Sequence, residues 1–311
     1  MMKNNIVLFF FASIGYSQLS FSEEVKYMSI EKITIDKEHG YPMVSAEVAG
    51  AKTKLRLDTT SSHPLLLEAF AQNIGIYQVD NPLSLEDIVP LASQTIPFRL
   101  GPVEMLLGRT AVIKKIQNND QHRIGMVFNP HSIECQHCLI VMDFINGELY
   151  VIQADSDEAA KAAVDRRYPN LTYASAPYAG DGSDALYVSG VSINQGKQGV
   201  AAVVTGHDYS LFLRSSVKTD IKIVKKSFVN VKDKNVETEV SAPVPISFNG
   251  QTIAKIPILL EAAPSFASHL ITLNNPEYVQ HQGNIGMDIL KNCALALETR
   301  KAVHLYCKPS L

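Results

Sequence analysis

The most restrictive feature of this sequence is an internal repeat, because segments of the first half recur in the same order in the second half. KLRLDTTSSHPLLL, from Lys54, matches AAVVTGHDYSLFL, and IPFRLGPVEMLLGRTAVI matches VPISFNGQTIAKIPILLE. An Ile-Gly-Met triplet at Gly125 matches one at Gly286, and a six-residue insertion in the first copy then aligns CLIVMD, from Cys138, with CALALE, from Cys293. Each match is short, but their common order predicts two similar lobes.

Most segments are typical of β-strands, with short β-branched runs and turn residues between them. The predicted strands cover residues 30–35, 43–48, 54–57, 96–100, 111–116, 186–193, 200–204, 244–248 and 253–260. One helix is predicted after Ser156, where acids occupy the first turn, arginines occupy the last turn and Pro169 follows. The expected fold is therefore all-β and bilobal, with one interlobe helix.

The N-terminus has the parts of a secretory signal peptide. Lys3 supplies a positive charge, residues 6–14 form a short apolar run, and small residues predict cleavage after Ser22, with Ser17 as a second candidate. No later segment reaches the roughly 18 apolar residues that a membrane helix requires. We therefore expect a mature protein that is periplasmic or secreted. The predicted parts are the signal peptide at 1–22, an N-terminal lobe at 23–153, a helical linker at 154–183 and a C-terminal lobe at 184–311.

The four cysteines form an even set that export would oxidise: Cys135, Cys138, Cys293 and Cys307. We predict the pairs Cys135–Cys138 and Cys293–Cys307, since the second pair brackets a hairpin across which two strand residues can face each other. The alternative is a zinc site formed by the first two cysteines with His131 and His137. Their spacing lacks the two separated pairs of a zinc finger, so no metal and no other cofactor is expected.

Charge balance and missing motifs limit the function classes. The chain has 28 Lys and Arg against 31 Asp and Glu, a net charge of −3, which gives no basic surplus for nucleic acid. The lysines at 218, 222, 225 and 226 are interpreted as a solvated face. The sequence contains no His-Glu-x-x-His, Gly-x-Ser-x-Gly or glycine-rich phosphate motif, so the activities that depend on these motifs have no support.

The repeated block from Lys54 carries the residues that suggest chemistry. An alternating strand runs into Asp58, then into small hydroxyl residues and an apolar run. Alone, this pattern also fits a strand that ends in a turn, with Asp58 capping its own backbone. An Asp at a strand end, followed later by an apolar-apolar-Gly strand and doubled in a two-lobed β protein, resembles the aspartic protease family. The resemblance is to the two-lobed pepsin-like arrangement of retropepsin-like lobes, and it spans residues 40–152 and 184–307.

The resemblance implies a role for each matching segment. In that family each lobe supplies one Asp in an Asp-Thr/Ser-Gly loop, an apolar-apolar-Gly segment packs beside this loop, and a hairpin between them serves as a flap. Here the first loop would be Asp58, Thr59, Thr60 and Ser61, with residues 123–125 packing beside it and the hairpin at 96–116 as the flap. The second loop would be Val204, Thr205 and Gly206, with residues 284–288 packing beside it.

Two departures from the family pattern decide the functional expectation. Val204 stands where the second Asp belongs, and Thr60 stands where the first loop should carry Gly. Two close carboxylates that share one proton are the basis of the family's mechanism. We therefore expect a non-catalytic relative that binds a peptide or protein between its lobes. The alternative is an active aspartic endopeptidase that uses Asp58 with Asp208, or with Asp58 of a second molecule, although the repeat register places Asp208 opposite Ser62.

Overall fold

The computed structural model describes residues 25–38, 40–61, 63–77, 88–91, 95–108, 110–114, 124–130, 133, 136–179, 186–217, 220–231, 234–261, 281–298 and 301–309. The predicted signal peptide, Arg123, His131 and Cys135 lie outside these ranges. Within them, no helix is long and apolar enough to cross a membrane.

Strands make up most of the described chain. The strands are β1 (Lys26–Lys32), β2 (Thr34–Ile35), β3 (Pro42–Val48), β4 (Ala51–Leu57), β5 (Leu65–Leu67), β6 (Ile88–Pro90), β7 (Ile96–Leu100), β8 (Val103–Leu107), β9 (Ala111–Ile113), β10 (Met126–Phe128), β11 (Cys138–Asp143), β12 (Glu148–Gln153), β13 (Thr172–Pro177), β14 (Tyr187–Ile193), β15 (Gly199–Val203), β16 (Leu211–Leu213), β17 (Ile223–Val231), β18 (Lys234–Ser241), β19 (Val244–Phe248), β20 (Gln251–Ile256), β21 (Leu259–Glu261), β22 (His281–Ile285), β23 (Cys293–Glu298) and β24 (Ala302–Cys307). The helices are α1 (Glu68–Asn73), α2 (Asp157–Arg167) and α3 (Met287–Leu290), with one 3₁₀ turn at Arg214–Ser216.

Each half of the chain builds one nine-stranded sheet with the same strand succession. The first sheet has the order β6-β9-β5-β10-β4-β3-β7-β8, with β2 paired to β3. The second has the order β17-β18-β21-β16-β22-β15-β14-β19-β20. Without β17, every strand of the second sheet has a counterpart at the same position in the first. The predicted internal repeat and the all-β, bilobal fold are therefore confirmed.

A third sheet joins the two halves, with the order β1-β12-β11-β23-β24-β13. At its centre β11 of the first half pairs antiparallel with β23 of the second, with Ile140 opposite Leu297. Alternation along these strands sends one set of side chains toward the main core and the other set toward α2. The third sheet therefore fixes the two lobes relative to each other.

Helix α2 confirms the predicted interlobe helix. The Ser156 hydroxyl accepts a hydrogen bond from the Ala159 amide at 3.1 Å, which caps the first turn. Ala160, Val164 and Tyr168 bury one face of the helix against the third sheet. The segment predicted as a helical linker also contains β13, which pairs with β24 along its whole length. The lobe boundaries given above remain predictions.

The second predicted disulfide is present. Cys293 and Cys307 lie opposite each other in the β23–β24 pair and are bonded. Cys135 lies outside the described residues, so its pairing with Cys138 stays a prediction. Cys138 itself is disulfide-bonded, which excludes it as a ligand in the alternative zinc site. His137 lies in a described segment, and its Nδ1 is 3.0 Å from an oxygen of Asp157.

The hairpin at 96–116 does not lie where the resemblance to aspartic proteases suggested. β7 and β8 form a hairpin, but β7 joins β3 at Glu47 and Val48, next to the β3–β4 turn. The turn of the hairpin packs against β1 of the third sheet, because a Cβ at Gly101 would lie 2.0 Å from the Ile30 carbonyl oxygen. The expectation that this hairpin forms a flap over Asp58 is therefore wrong. The sequence repeat located the hairpin correctly within the lobe but carried no information on what its turn packs against.

Candidate functional site

The two predicted loops meet and exchange hydrogen bonds in a symmetric pattern. The Thr59 amide donates to Thr205 Oγ1 at 3.1 Å, and the Thr205 amide donates to Thr59 Oγ1 at 3.2 Å. The Thr205 hydroxyl donates to the Leu57 carbonyl at 2.8 Å, and the Thr59 hydroxyl donates to the Val203 carbonyl. This exchange makes Leu57 the equivalent of Val203. Asp58 and Val204, the next residues along the chain, therefore occupy equivalent positions.

The sheet registers give the same equivalence. The Asp58 amide donates to the Phe128 carbonyl at 2.9 Å, and the Val204 amide donates to the Ile285 carbonyl at 2.8 Å. β4 runs parallel to β10, and β15 runs parallel to β22, so both loops leave the same kind of strand pair. Phe128 is thus the structural counterpart of Ile285.

This register corrects one part of the sequence alignment. If Phe128 matches Ile285, then Asn129, and not Gly125, is the counterpart of Gly286. The Gly125 amide instead bonds to the Lys54 carbonyl, earlier on β4. The second Ile-Gly-Met triplet was placed correctly, but the first is a coincidental match a few residues upstream of the true counterpart.

Asn129 is a site residue that the sequence reasoning missed. Its side-chain amide donates to the Thr59 carbonyl at 3.2 Å and to the Ser61 carbonyl at 3.1 Å, and the residue is buried. These two bonds therefore fix the backbone of the first loop. One sequence signal could have located Asn129. It is the alignment of residues 127–129 (Val-Phe-Asn) with residues 284–286 (Asn-Ile-Gly), in which Phe128 matches Ile285.

The second loop is held by a different set of contacts. The Gly286 amide donates to Ser210 Oγ at 2.8 Å, and the Ser210 hydroxyl donates to a carboxylate oxygen of Asp288 at 2.6 Å. A Cβ at Gly286 would lie 2.1 Å from the Tyr209 carbonyl oxygen. Glycine is therefore required here by the close approach of another backbone segment.

The carboxylate of Asp58 is buried in a set of donors. Arg56 Nη2 lies 3.0 Å from Oδ2, and the Thr60 hydroxyl and amide donate to Oδ1 at 2.6 Å and 3.0 Å. Burial raises the pKa of Asp58, but the Arg56 charge and the two Thr60 hydrogen bonds outweigh it and lower the pKa below its ordinary value. Asp58 is therefore an ionised carboxylate paired with a cation of its own strand.

Alternation along β4 explains this pair. Leu55 and Leu57 are fully buried in the core of the first lobe. Arg56 and Asp58 consequently share the opposite face. The guanidinium also donates to the Gly206 carbonyl at 2.9 Å and lies 4.9 Å from the centre of the Tyr41 ring. Arg56 thus joins both loops as well as neutralising the acid.

Gly206 and Thr60 occupy equivalent positions in the two loops but act differently. A Cβ at Gly206 would lie 2.2 Å from Asp58 Oδ2 and 2.5 Å from Arg56 Nη2. Neither Thr60 nor Gly206 has a positive φ. Threonine therefore fits the first loop without backbone strain, and its hydroxyl serves as a donor to Asp58.

Val204 and Asp208 were the two candidates for the partner of Asp58. Val204 is fully buried and packs with Tyr187 and Ala202, so its side chain brings no ionisable group. Asp208 is exposed and contacts Gly40. A Cβ added at Gly40 would lie 2.8 Å from the Cβ of Asp208. The hydrogen bonds described for the Asp58 carboxylate go to Arg56 and Thr60.

His207 is the second titratable group at this site. Its ring stacks on Tyr209 with centroids 5.6 Å apart, and its carbonyl accepts a bond from the Met287 amide. Desolvation lowers the pKa of His207, although the negative charge of Asp58 acts in the opposite direction. The ring is therefore uncharged near neutral pH.

A separate groove of about 660 Å³ lies on the flank of the first lobe. Its lining carries both signs of charge, from Glu31, Glu47, Lys52, Lys54 and Arg99. Arg99 and Glu47 form an ion pair within it. The groove contains none of the residues around Asp58, and its mixed charges do not define a ligand.

Comparisons with known proteins add limited information. No family model matches the chain, and no curated protein matches it. Among solved structures, an aspartic proteinase from Irpex lacteus is similar, with 11% identity, a TM-score of 0.49, and coverage of 92% of this chain and 98% of that chain. The class of fold follows from the chain itself. Two equivalent nine-stranded sheets, joined by a third and meeting at two equivalent loops, form a bilobal, aspartic-protease-like all-β fold.

Replacing Thr205 with Val should weaken the junction of the two loops. The substitution removes the acceptor of the Thr59 amide and the donor to the Leu57 carbonyl at a fully buried position. We expect a loss of about 2 kcal/mol in the free energy of unfolding, measured by urea denaturation. Thr252→Val is the control, because Thr252 is exposed and the bond described for its hydroxyl goes to the Ser247 hydroxyl. Equal losses for both variants would contradict the assigned role of Thr205.

Proposed function

We propose that the chain is a catalytically inactive, exported relative of aspartic proteases that binds a peptide or protein between its lobes. The observation that carries the proposal is the ion pair of Asp58 with Arg56, together with Val204 at the position equivalent to Asp58. An aspartic dyad needs one carboxylate to act as a base while the other donates a proton. A single carboxylate whose charge is stabilised by a guanidinium does not supply this exchange.

The groups around Asp58 support a role in binding. Thr60, His207 and Tyr209 are partly exposed, and Asp208 is exposed. These side chains offer hydroxyl, imidazole, aromatic and carboxylate groups from two loops of different lobes. Such a mixture suits the alternating amides and side chains of a peptide.

Export is part of the proposal. It rests on the predicted signal peptide at 1–22, which precedes the described residues. The Cys293–Cys307 disulfide supports it, because disulfides persist in oxidising compartments. N-terminal sequencing of the mature protein would test the predicted cut after Ser22.

The lack of catalysis is tested by incubating the protein with a peptide library between about pH 3 and pH 7. Cleavage is followed by mass spectrometry. We expect no cleavage beyond the background of a buffer control, with or without pepstatin. Pepstatin-sensitive cleavage that disappears in Asp58→Asn would establish instead the active endopeptidase, with Asp208 or a second molecule supplying the other acid. The unfolding curve of Asp58→Asn must confirm that the variant is folded.

Selection of displayed peptides on the immobilised protein tests the binding function. Peptides that bind between the lobes should lose affinity by about tenfold with Tyr209→Ala, since Tyr209 is partly exposed beside His207. Tyr173→Ala is the matched control, because Tyr173 is partly exposed on β13 of the third sheet. A selection that yields no peptide sensitive to Tyr209→Ala would contradict binding at this site.

A further inference from the structure

β17 is the one strand of the second sheet without a counterpart in the first sheet as described. It lies at the end of the strand order and pairs with β18 from Ile223 to Val231, with one register shift between Ile223 and Lys225. No other described strand pairs with its outer edge. With nine residues it is also the longest of the described strands. Such an edge presents a row of backbone amides and carbonyls that can accept another extended segment.

The outward face of β17 is unusually apolar for an edge strand. Val224 is 61% exposed and Phe228 is 65% exposed, the two highest values among the large hydrophobic side chains described. Alternation places Phe228 on one face with the exposed Lys226, whereas Val224 lies where the register with β18 shifts by one residue, between Ile223 and Lys225. Edge strands in natural proteins are usually blunted by short length, charged residues, proline, bulges or a covering segment. β17 has exposed lysines and one register shift, but it also exposes two large apolar side chains.

The charges along β17 are positive and partly uncompensated. Lys226 forms an ion pair with Glu237 of the neighbouring β18. Lys222 and Lys225 are exposed, and neither forms an ion pair with a described carboxylate. Glu239, also on β18, pairs with Arg214. The free edge therefore favours a partner with acidic side chains.

We propose that β17 is a docking strand for an extended acidic peptide, which adds to the free edge as a further strand. Side chains directly opposite each other across a strand pair interact most strongly. An acidic residue would therefore face the unpaired Lys225, and an apolar residue would face Phe228. This places an acidic and an apolar residue three positions apart in the partner. The site is separate from the loops around Asp58.

The probe is a fluorescently labelled peptide with the core Val-Thr-Thr-Glu-Thr-Thr-Val, compared with the same peptide carrying Lys in place of Glu. Fluorescence anisotropy should show saturable binding of the acidic peptide and at least tenfold weaker binding of the basic one. Backbone amides of β17 should gain protection from hydrogen exchange when the acidic peptide binds. Equal binding of the two peptides, or no binding of either, would overturn the proposal.

Variants locate the site. Phe228→Lys and Lys225→Glu should each weaken binding about tenfold, and both positions are exposed enough to tolerate the change. Leu106→Lys is the matched control, since Leu106 is 56% exposed on β8, an edge strand of the other sheet, and should leave binding unchanged. Tyr209→Ala should also have no effect, which separates this proposal from binding between the lobes. Concentration-dependent dimerisation that Phe228→Lys abolishes, without peptide binding, would instead assign the edge to a second copy of the chain.

Discussion

Replacing Arg56 with Met should lower the free energy of unfolding by about 3 kcal/mol at neutral pH, measured by urea denaturation. The substitution leaves the buried Asp58 carboxylate without its cation, and removing one member of a buried ion pair typically costs 3–5 kcal/mol. The side chains of Arg56 and Asp58 are only 17% and 13% exposed, so solvent screens little of the interaction. The bond from Arg56 to the Gly206 carbonyl is lost as well.

The pH dependence of this loss has a definite sign. In the native protein the pKa of Asp58 is lowered, so its stabilisation is present above the unfolded pKa and is lost as the pH falls through the folded pKa. Without Arg56, burial should raise the pKa of Asp58, and the variant then loses stability as the pH rises. The difference between native protein and variant should therefore be largest near neutral pH and shrink on acidification.

Two controls accompany the Arg56 variant. Arg56→Met combined with Asp58→Asn should recover part of the loss, because the uncompensated charge is gone. Arg99→Met should cost less than about 1 kcal/mol, since the side chain of Arg99 is 49% exposed in its pair with Glu47. A loss for Arg56→Met no larger than that for Arg99→Met would contradict the structural importance of the Asp58 pair.

Gly286→Ala should be the next most destabilising change, with a loss of about 2–3 kcal/mol in the free energy of unfolding. The added Cβ would lie 2.1 Å from the Tyr209 carbonyl oxygen and 2.5 Å from the Tyr209 carbonyl carbon. These are backbone atoms and cannot rotate away. The φ of Gly286 is −103°, so the expected loss is steric and contains no contribution from backbone strain.

Gly108→Ala is the matched control for Gly286→Ala. A Cβ at Gly108 has no heavy atom within 4 Å among the described residues, and its φ is not positive. Alanine there should leave stability unchanged or raise it by a few tenths of a kcal/mol, because the unfolded chain loses conformational freedom. Similar losses at both positions would show that Gly286 is not a packing glycine.

Much of the architecture could be predicted from the sequence. The repeated blocks around Lys54 and Ala201 led to two equivalent loops, and the strand and hairpin matches led to two equivalent sheets. The capped helix after Ser156 and the Cys293–Cys307 bond were also predictable, because they depend on residues close in sequence or on a single hairpin. These predictions succeeded because each rests on a local sequence pattern that fits few other structures.

Long-range register could not be predicted in the same way. Three-residue motifs occur by chance, and the triplet at Gly125 caused Gly125 to be aligned with Gly286 in place of Asn129. The role of Asn129 depends on its bonds to the Thr59 and Ser61 carbonyls, which are distant in sequence. The flap expectation failed because the turn of the hairpin contacts Ile30, a residue distant in sequence. The Arg56–Asp58 pair could have been predicted from the sequence, since strand alternation places both side chains on one face.

An NMR titration of the Asp58 side-chain carboxyl, assigned with Asp58→Asn, tests the central claim most directly. That claim is that Asp58 is a lone carboxylate held ionised by Arg56 and not half of a catalytic pair. We predict a single titration step with a pKa below the ordinary value of 3.8, unchanged by Asp208→Asn and raised by Arg56→Met. A pKa above the usual range, or two coupled steps that Asp208→Asn reduces to one, would contradict the account and indicate a shared proton.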